Sequence, residues 1–530
     1  MRYSWFYIVL GMFLFPQNEA LGADGYVRLR GIDVLHYRIA LTIDATDSVI
    51  VGDTGIIVSI TDGNIKEIPF DLGVMDVDAV TMAGQALVFT HEGEKLFVSL
   101  PETYEPGTRL EIRVAYHGQP KDGLFIMKNK FGDRTIFADN FSNRAHHWFP
   151  GVDHPYDKAT AEFIVTAPGN YDVVANGRLL ETTQLPDGGR RTHWRTATEI
   201  PTYCMVIGAT EFSVIHAGSW NGIPVSYYLY PQDRENGKID FERSTQMLEF
   251  YSGLIGPYPY SKLALVQSTT RYGGMENASS IFFSERSIRG TKRGEGTVAH
   301  EIAHQWFGDS ITEADWHDVW LSEGFATYFG ALFFERTEGR DRFMEIMQGS
   351  KERYLRTNTS DSRPIHDATI NDLSDVLTSF HYVKGGWTLH MLRGVIGDNA
   401  FFAGIKDYYR RFRDKNALTV DFQRVMESHA GQPLEWFFHQ WIYEAGHPVY
   451  DLEWAWDKAA KEAVVTIRQT QEGVSYRMPL NLGFYTENEL VRKRIVSEGR
   501  EQTIAIPMDA EPDSVQLDPD HWILKEVIEK

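Results

Sequence analysis

One cysteine, Cys204, occurs in the whole 530-residue chain. No disulfide can form within it, so the fold must be held by its core. Cys204 lies among Tyr203, Met205 and Val206, a setting that predicts an inert, packed thiol. Basic residues are also scarce: 52 Lys and Arg face 73 Asp and Glu, a formal charge of −21. That balance argues against nucleic acid or an anionic membrane as partner. Beyond the N-terminus the sequence lacks any apolar run long enough to span a bilayer. Internal repeats and low-complexity segments are missing too, and with no long flexible linker the domains are expected to pack tightly. What is present is globular in composition, 43% hydrophobic and 24% charged, with length for roughly two to four domains.

Residues 1–22 read as a secretory signal peptide. Arg2 is the positive start, 5–15 is the apolar run, and Ala20-Leu21-Gly22 is a small-x-small cleavage site before Ala23. The expectation is an exported protein, periplasmic or secreted, with no membrane span once the signal is removed.

The remainder reads as a multidomain α+β chain. In 23–218, Tyr37, Ile39, Leu41 and Ile43 alternate with Arg38, Ala40, Thr42 and Asp44, the period of a half-buried strand. Residues 49–60, 110–116 and 161–165 look similar, and Asp62-Gly63-Asn64 and Asn176-Gly177 punctuate them. An all-β domain is predicted. The segment from Asp139 to Pro150 is too polar and aromatic for an ordinary strand. Its adjacent His146 and His147 should face different ways, which argues against a shared metal. Residues 219–445 carry the helices: a strand at 221–230, a polar turn at 231–238, then helices at 241–254, 387–396, 400–412, 420–430 and 434–444. In 446–530, Met478, Leu480, Leu482 and Phe484 restore strand alternation, and a small β-sandwich is predicted.

The chemistry concentrates in 300–328. His300 and His304 stand four apart on a predicted helix at 295–307, so both rings project from one face. Val298, Ile302 and Trp306 form an apolar stripe beside Ala299 and Ala303, and Gly308-Asp309 is a plausible stop. Two histidines and a glutamate in a helix this apolar need a reason, and a zinc ion supplies one. A catalytic zinc usually takes three protein ligands. Glu323 is the natural third, on the next helical run at 319–335, with eighteen residues between it and His304. Asp318 could cap that run. Glu301 points to another side of its helix, placed to take a proton from water. A satisfied core histidine pair is the plain alternative, and the spacing of Glu323 tells against it. Upstream, the glycines of Tyr272-Gly273-Gly274-Met275-Glu276-Asn277 let backbone approach a ligand closely. Glu276 there offers a carboxylate, or is a solvated turn residue.

Taken together these motifs resemble the aminopeptidase N family of zinc metallopeptidases, which also includes the leukotriene hydrolases. Gly273 to Asn277 resembles its G-x-M-E-N exopeptidase motif, and His300 to His304 with Glu323 its zinc motif. Tyr382-Val383-Lys384-Gly385 resembles its Y-x-K-G segment. The resemblance implies an N-terminal β-saddle, a thermolysin-like α/β catalytic domain and a C-terminal β-sandwich. It implies one Zn²⁺ per chain on His300, His304 and Glu323, Glu301 as general base and Tyr382 as donor to the oxyanion. Gly273, Gly274, Met275 and Glu276 would bind substrate, with Glu276 on the α-ammonium of a peptide whose N-terminus is free. Cleavage of the N-terminal peptide bond follows.

Many members continue into a large helical domain. This chain ends first, so none is expected here and the cleft should be more open. Members also carry a Glu or Gln nine residues before a Phe-Pro-like pair. Counting back from Pro150 reaches Phe141, with Asp139 and Asn140 close by. Competing readings are an endopeptidase, which would lack an amine anchor, and an epoxide hydrolase sharing every ligand. A non-catalytic peptide-binding protein would normally have lost Glu301 or a ligand.

Overall fold

The computed structural model describes residues 19–21, 24–29, 31–44, 47–357, 363–370, 372–373, 376–487 and 489–528. Of the expected signal peptide only Glu19–Leu21 falls within them; the strand there pairs with Val27–Leu29. No helix among the described residues is long and apolar enough to cross a membrane.

The alternation near the N-terminus builds what its period demands. Tyr37, Ile39, Leu41 and Ile43 are buried along the strand Ile32–Ile43. This strand runs antiparallel to Ile50–Ile60 and parallel to Lys158–Pro168, in the middle of a nine-stranded sheet. A four-stranded sheet (Leu124–Lys128, Arg134–Ala138, Ile207–Thr210, Asp172–Ala175) and a three-stranded one (Glu67–Asp71, Lys95–Ser99, Phe89–Glu92) complete this all-β part. Ser213–Trp220 pairs with Ile223–Leu229 instead, so the next sheet begins ahead of the boundary expected at 218.

That sheet has five strands, in the order Ser213–Trp220, Ile223–Leu229, Leu263–Ser268, Ser280–Ser284, Gly274–Met275. Helices follow: α1 (Arg234–Asp240), α2 (Ser244–Leu254), α3 (Glu295–His304), α4 (Trp320–Glu338), α5 (Arg340–Thr357), α6 (Ser379–Ile396), α7 (Asp398–Phe412), α8 (Thr419–Ala430) and the short α9 (Glu435–Phe438). The stripe of α3 is buried as expected, Val298, Ala299, Ile302 and Ala303 together with Trp306 beyond its end.

Four expectations need correction. The polar turn at 231–238 is a 3-10 turn leading into α1, because Asp233 is itself buried and partnered: it accepts from the buried Gln267 at 2.6 Å and pairs with the exposed Lys130 at 2.5 Å. The helix expected at 241–254 starts only at Ser244. Helix α5 was not anticipated; it is polar, and only Phe343, Met347 and Tyr354 mark its buried line. Helix α6 starts at Ser379, eight residues before the expected 387. Thr378 caps it, its hydroxyl accepting from the Phe380 N–H while the His381 ring accepts from the Thr378 N–H at 3.2 Å. Gly385-Gly386 reads as a break but lies mid-helix. A Cβ on Gly324 would stand 2.9 Å from the Gly385 backbone, and one on Gly385 3.0 Å from Gly324. The pair lets α4 and α6 cross at backbone distance, which outweighs the poor helix propensity of glycine.

The C-terminal part holds a four-stranded sheet (Glu501–Pro507, Glu462–Gln469, Val449–Asp457, Glu526–Val527) and a three-stranded one (Leu490–Ser497, Met478–Tyr485, Ser514–Leu517). Met478, Leu480, Leu482 and Phe484 are buried.

Candidate active site

Helices α3 and α4 bring three side chains to one point. His304 Nε2 lies 2.9 Å from His300 Nε2 and 3.3 Å from Glu323 Oε2, and His300 Nε2 lies 3.2 Å from the same oxygen. Zinc bonds to nitrogen and oxygen are about 2.0–2.2 Å, so tetrahedral ligands sit about 3.3 Å apart. The triangle fits that ion, with a fourth direction left open. The remaining nitrogen of His304 is already committed: Nδ1 lies 3.1 Å from the Phe307 carbonyl and 3.0 Å from Ser322 Oγ. Donation from Nδ1 fixes the tautomer that leaves Nε2 as a lone pair. Gly308, at φ +115°, turns the chain there, and a Cβ on it would meet Ser322 Oγ at 2.3 Å. Asp318, expected as the cap of α4, is engaged elsewhere. Val319 is the N-cap, while Asp318 accepts from the Thr419 hydroxyl at 2.5 Å and pairs with His366 at 3.2 Å.

A second trio overlaps the first. One carboxylate oxygen each of Glu276 and Glu301 and a His304 nitrogen lie within 4.8 Å of one another, all on buried residues. Burial pushes the Glu301 carboxyl well up; nearby His304 opposes that, while Glu276 and Glu323 add to it. Burial and the neighbouring Glu323 raise Glu276 as well, against the pull of His304. Three carboxylates packed this closely out of water call for a cation among them. Gly274 lies directly over Glu301, since a Cβ there would stand 2.3 Å from Glu301 Oε1. The expected need for glycine is therefore met by a catalytic-type side chain of the protein itself. Gly274–Met275 forms the last strand of the five-stranded sheet, paired on one side with Phe282 and Phe283. Tyr382, in the first turn of α6, stacks its ring on His300 at 5.8 Å, and burial, with the nearby Glu323 carboxylate adding to it, pushes its hydroxyl well above the usual tyrosine range. All nine sequence-nominated residues, Gly273, Gly274, Met275, Glu276, His300, Glu301, His304, Glu323 and Tyr382, line one cleft of about 1010 Å³.

The supports behind this cleft were not read from the sequence. Gln305 Nε2 donates to the Glu276 carbonyl at 2.5 Å and to Asp309 Oδ2 at 2.7 Å, holding the Glu276 segment against the end of α3. Its position directly after a ligand was the available signal. Glu313 is buried with both carboxylate oxygens unpartnered, and burial raises it from 4.5 to about 8. Asp139 and Asn140 do not line the cleft. Asp139 is ion-paired to Arg144 at 2.5 Å, and Asn140 donates to the Thr202 and Met205 carbonyls. Phe141 does line it, edge-on to Trp316 and Tyr203 with centroids 5.3 and 5.9 Å away.

Two imidazoles and a carboxylate converge beside a buried glutamate, on a helix pair flanking a mixed sheet, the donor set and spacing of a zinc site of catalytic type. The Peptidase family M1 domain matches residues 239–441, and the Peptidase M1 N-terminal domain matches 34–204. The chain belongs to the M1 family, the family of aminopeptidase N. The tricorn protease-interacting factor F2 of Thermoplasma acidophilum is 28% identical over 412 residues, 74% of this chain and 51% of that protein. The probable aminopeptidase 2 of Sulfurisphaera tokodaii is 26% identical over 403 residues, 72% of this chain and 50% of that protein. The chain spans about half the length of the curated relatives it matches. The crystal structure of an M1 zinc metallopeptidase from Deinococcus radiodurans superposes with a TM-score of 0.67 at 25% identity, covering 79% of this chain and 95% of that one.

Proposed function

We propose that the protein is an exported, zinc-dependent aminopeptidase that hydrolyses the first peptide bond of peptides with a free N-terminus. In this reading the all-β part is a β-saddle, the helical part a thermolysin-like catalytic domain and the C-terminal sheets a β-sandwich. Export, to the periplasm or beyond, rests on the charge, apolar run and small-residue site of residues 1–22.

His300, His304 and Glu323 would hold the ion. Zinc bound there supplies Lewis-acid polarisation of a carbonyl and a lowered pKa for water. Glu301 accepts the proton of the attacking water and returns it to the leaving amine. Tyr382 donates its hydroxyl to the carbonyl oxygen as negative charge builds there. Glu276 pairs with the substrate's α-ammonium, and the Gly274–Met275 strand runs beside the peptide backbone. The observation that supports the exopeptidase reading is the overlap of the two trios, with the buried Glu276 carboxylate within 4.8 Å of Glu301 and His304. Chain entry is thereby limited to a single residue beyond the cut. In support, a structure of the Deinococcus radiodurans enzyme in mutant form was solved with a Tyr-Ser-Ala substrate.

The test is hydrolysis of a panel of amino-acyl amides and short peptides, each free or N-acetylated, with and without a chelator. Free amines should be cut, acetylated partners left intact, and the chelator should abolish turnover until zinc is returned. Equal cleavage of acetylated and free peptides would replace the aminopeptidase with an endopeptidase.

A further inference from the structure

The all-β part carries a second cluster of metal-binding type. His146 and His147 lie in a 3-10 turn, Ala145–His147, and Glu94 in the turn between strands Phe89–Glu92 and Lys95–Ser99. Adjacency in sequence predicted rings facing apart. The tight turn instead brings them together, with centroids 4.2 Å apart and planes inclined by 37°. One nitrogen from each ring and one Glu94 oxygen lie within 4.8 Å of one another.

The arrangement is built. Asp153, itself buried, accepts from the His146 backbone N–H at 3.0 Å and faces His146 Nδ1 at 2.6 Å. Its other oxygen accepts from the Thr202 hydroxyl at 2.8 Å. Nδ1 is thus the protonated nitrogen, and Nε2 is left as the lone pair. A carboxylate behind one ring nitrogen is the usual support of a metal-bound histidine. The side chain of His146 is 9% exposed, and Nε2 has no hydrogen-bond partner. The nearest acceptor is Glu94 Oε2 at 3.7 Å, too long for a hydrogen bond but a normal separation for two ligands of one ion. Both ligand segments are pinned to the same stretch of chain. The Leu72 N–H donates to the Glu94 carbonyl at 3.0 Å, and the Gly73 N–H to the His146 carbonyl at 2.7 Å. Gly73 also makes room for the second ring, since a Cβ there would lie 2.6 Å from His147 Nδ1.

We propose that Glu94, His146 and His147 form a second metal site, distinct from the catalytic one, that takes a first-row divalent ion of the zinc class. Two imidazoles and one carboxylate suit zinc, nickel, cobalt or copper rather than magnesium or calcium. Its remaining positions face solvent through the exposed Glu94. The ion would clip the Phe89–Ser99 hairpin to the turn that leads into Trp148-Phe149-Pro150, fastening part of the β domain. The competing account is a bare ion pair, an imidazolium at His146 between Asp153 and Glu94. The proposal is independent of the peptidase reading.

The full chain, stripped with a chelator and re-equilibrated with zinc alone, is assayed for bound metal by elemental analysis and calorimetry. Two equivalents are expected for the unaltered chain. Glu94→Gln and His147→Gln should each retain one equivalent and full peptidase activity. Glu94 is exposed, so its variant should fold normally. Glu323→Ala should lose the catalytic equivalent and keep this one, and zinc should still raise its melting temperature. The combination Glu323→Ala with Glu94→Gln should lose that response. A single equivalent in the unaltered chain, or two in Glu94→Gln and His147→Gln, would leave the ion pair as the correct account.

Discussion

In the proposed mechanism Glu301 is the residue on which turnover would depend most directly. Glu301→Gln keeps the side-chain volume and the metal triangle but removes the proton acceptor. Turnover should fall about 10²–10⁴-fold, roughly 3–5 kcal/mol of barrier, in the range of a general base. Zinc content should stay at the unaltered level, and a variant with normal turnover would strip Glu301 of the role. Gly274 offers a gentler test. Gly274→Ala places a methyl 2.3 Å from the position of Glu301 Oε1, so the carboxylate must move. Displacement of a reacting group by about 1 Å can cost about 10²-fold. The expected result is a lower kcat with metal affinity unchanged; a kcat equal to that of the unaltered chain would show that the carboxylate has slack. His300, His304, Glu301 and Glu323 stand out in the sequence by spacing, and Glu276 by the glycine-rich run before it, whereas Tyr382 and the roles of Gly273, Gly274 and Met275 came only from the family resemblance. Their supports were not legible. Gln305 and Glu313 act through neighbours contributed by distant segments, and no local pattern marks a carboxyl whose meaning is that nothing touches it.

Among the elements, the crossing of α4 and α6 sets the distance between Glu323 and Tyr382. Gly324→Ala would set a methyl against the Gly385 backbone at 2.9 Å, where no side-chain rotation can relieve it. The helices must part. Overpacking of this kind costs about 1–3 kcal/mol, and zinc affinity should fall with it because Glu323 precedes the substituted position. Urea unfolding and zinc titration read both effects, and an unshifted midpoint with unchanged affinity would mean that the crossing is loose. This element also shows why the sequence reading placed the helix start late. Two consecutive glycines are a breaker on propensity, and only the facing glycine of another helix, sixty residues upstream, reveals them as a contact surface. The N-terminal strands with clear alternation, around 37–43, 49–60, 110–116 and 161–165, were legible, since a period of two needs no partner to be seen, while shorter strands such as Glu67–Asp71 and Arg134–Ala138 were not placed. Helix α5 escaped because its buried line is thin and its other faces are charged.

For the molecule as a whole, Glu313 ties stability to pH. Raised from 4.5 to about 8, it keeps in the fold a proton that the unfolded chain has already released. Its contribution is therefore intact below about 4.5, declines as pH climbs, and is gone above about 8. Glu313→Gln removes this titration. Relative to the unaltered chain the variant should gain on the order of 3–5 kcal/mol between pH 5 and pH 9, from a shift of this size at 1.36 kcal/mol per pH unit. Parallel stability curves for the two proteins across that interval would dismiss the idea.

Where the two large parts of the chain meet, Cys204 directs its sulfur at Asp309 from 3.3 Å and is wholly enclosed, with burial, then Asp309 and Glu276, holding the thiol far from ionisation. A chromogenic thiol reagent should therefore stay colourless with the native molecule and develop only as the seam gapes. The lone sulfhydryl becomes a built-in stopwatch for that breathing, read without attaching any probe. Substrate analogues that bridge the cleft should slow its ticking.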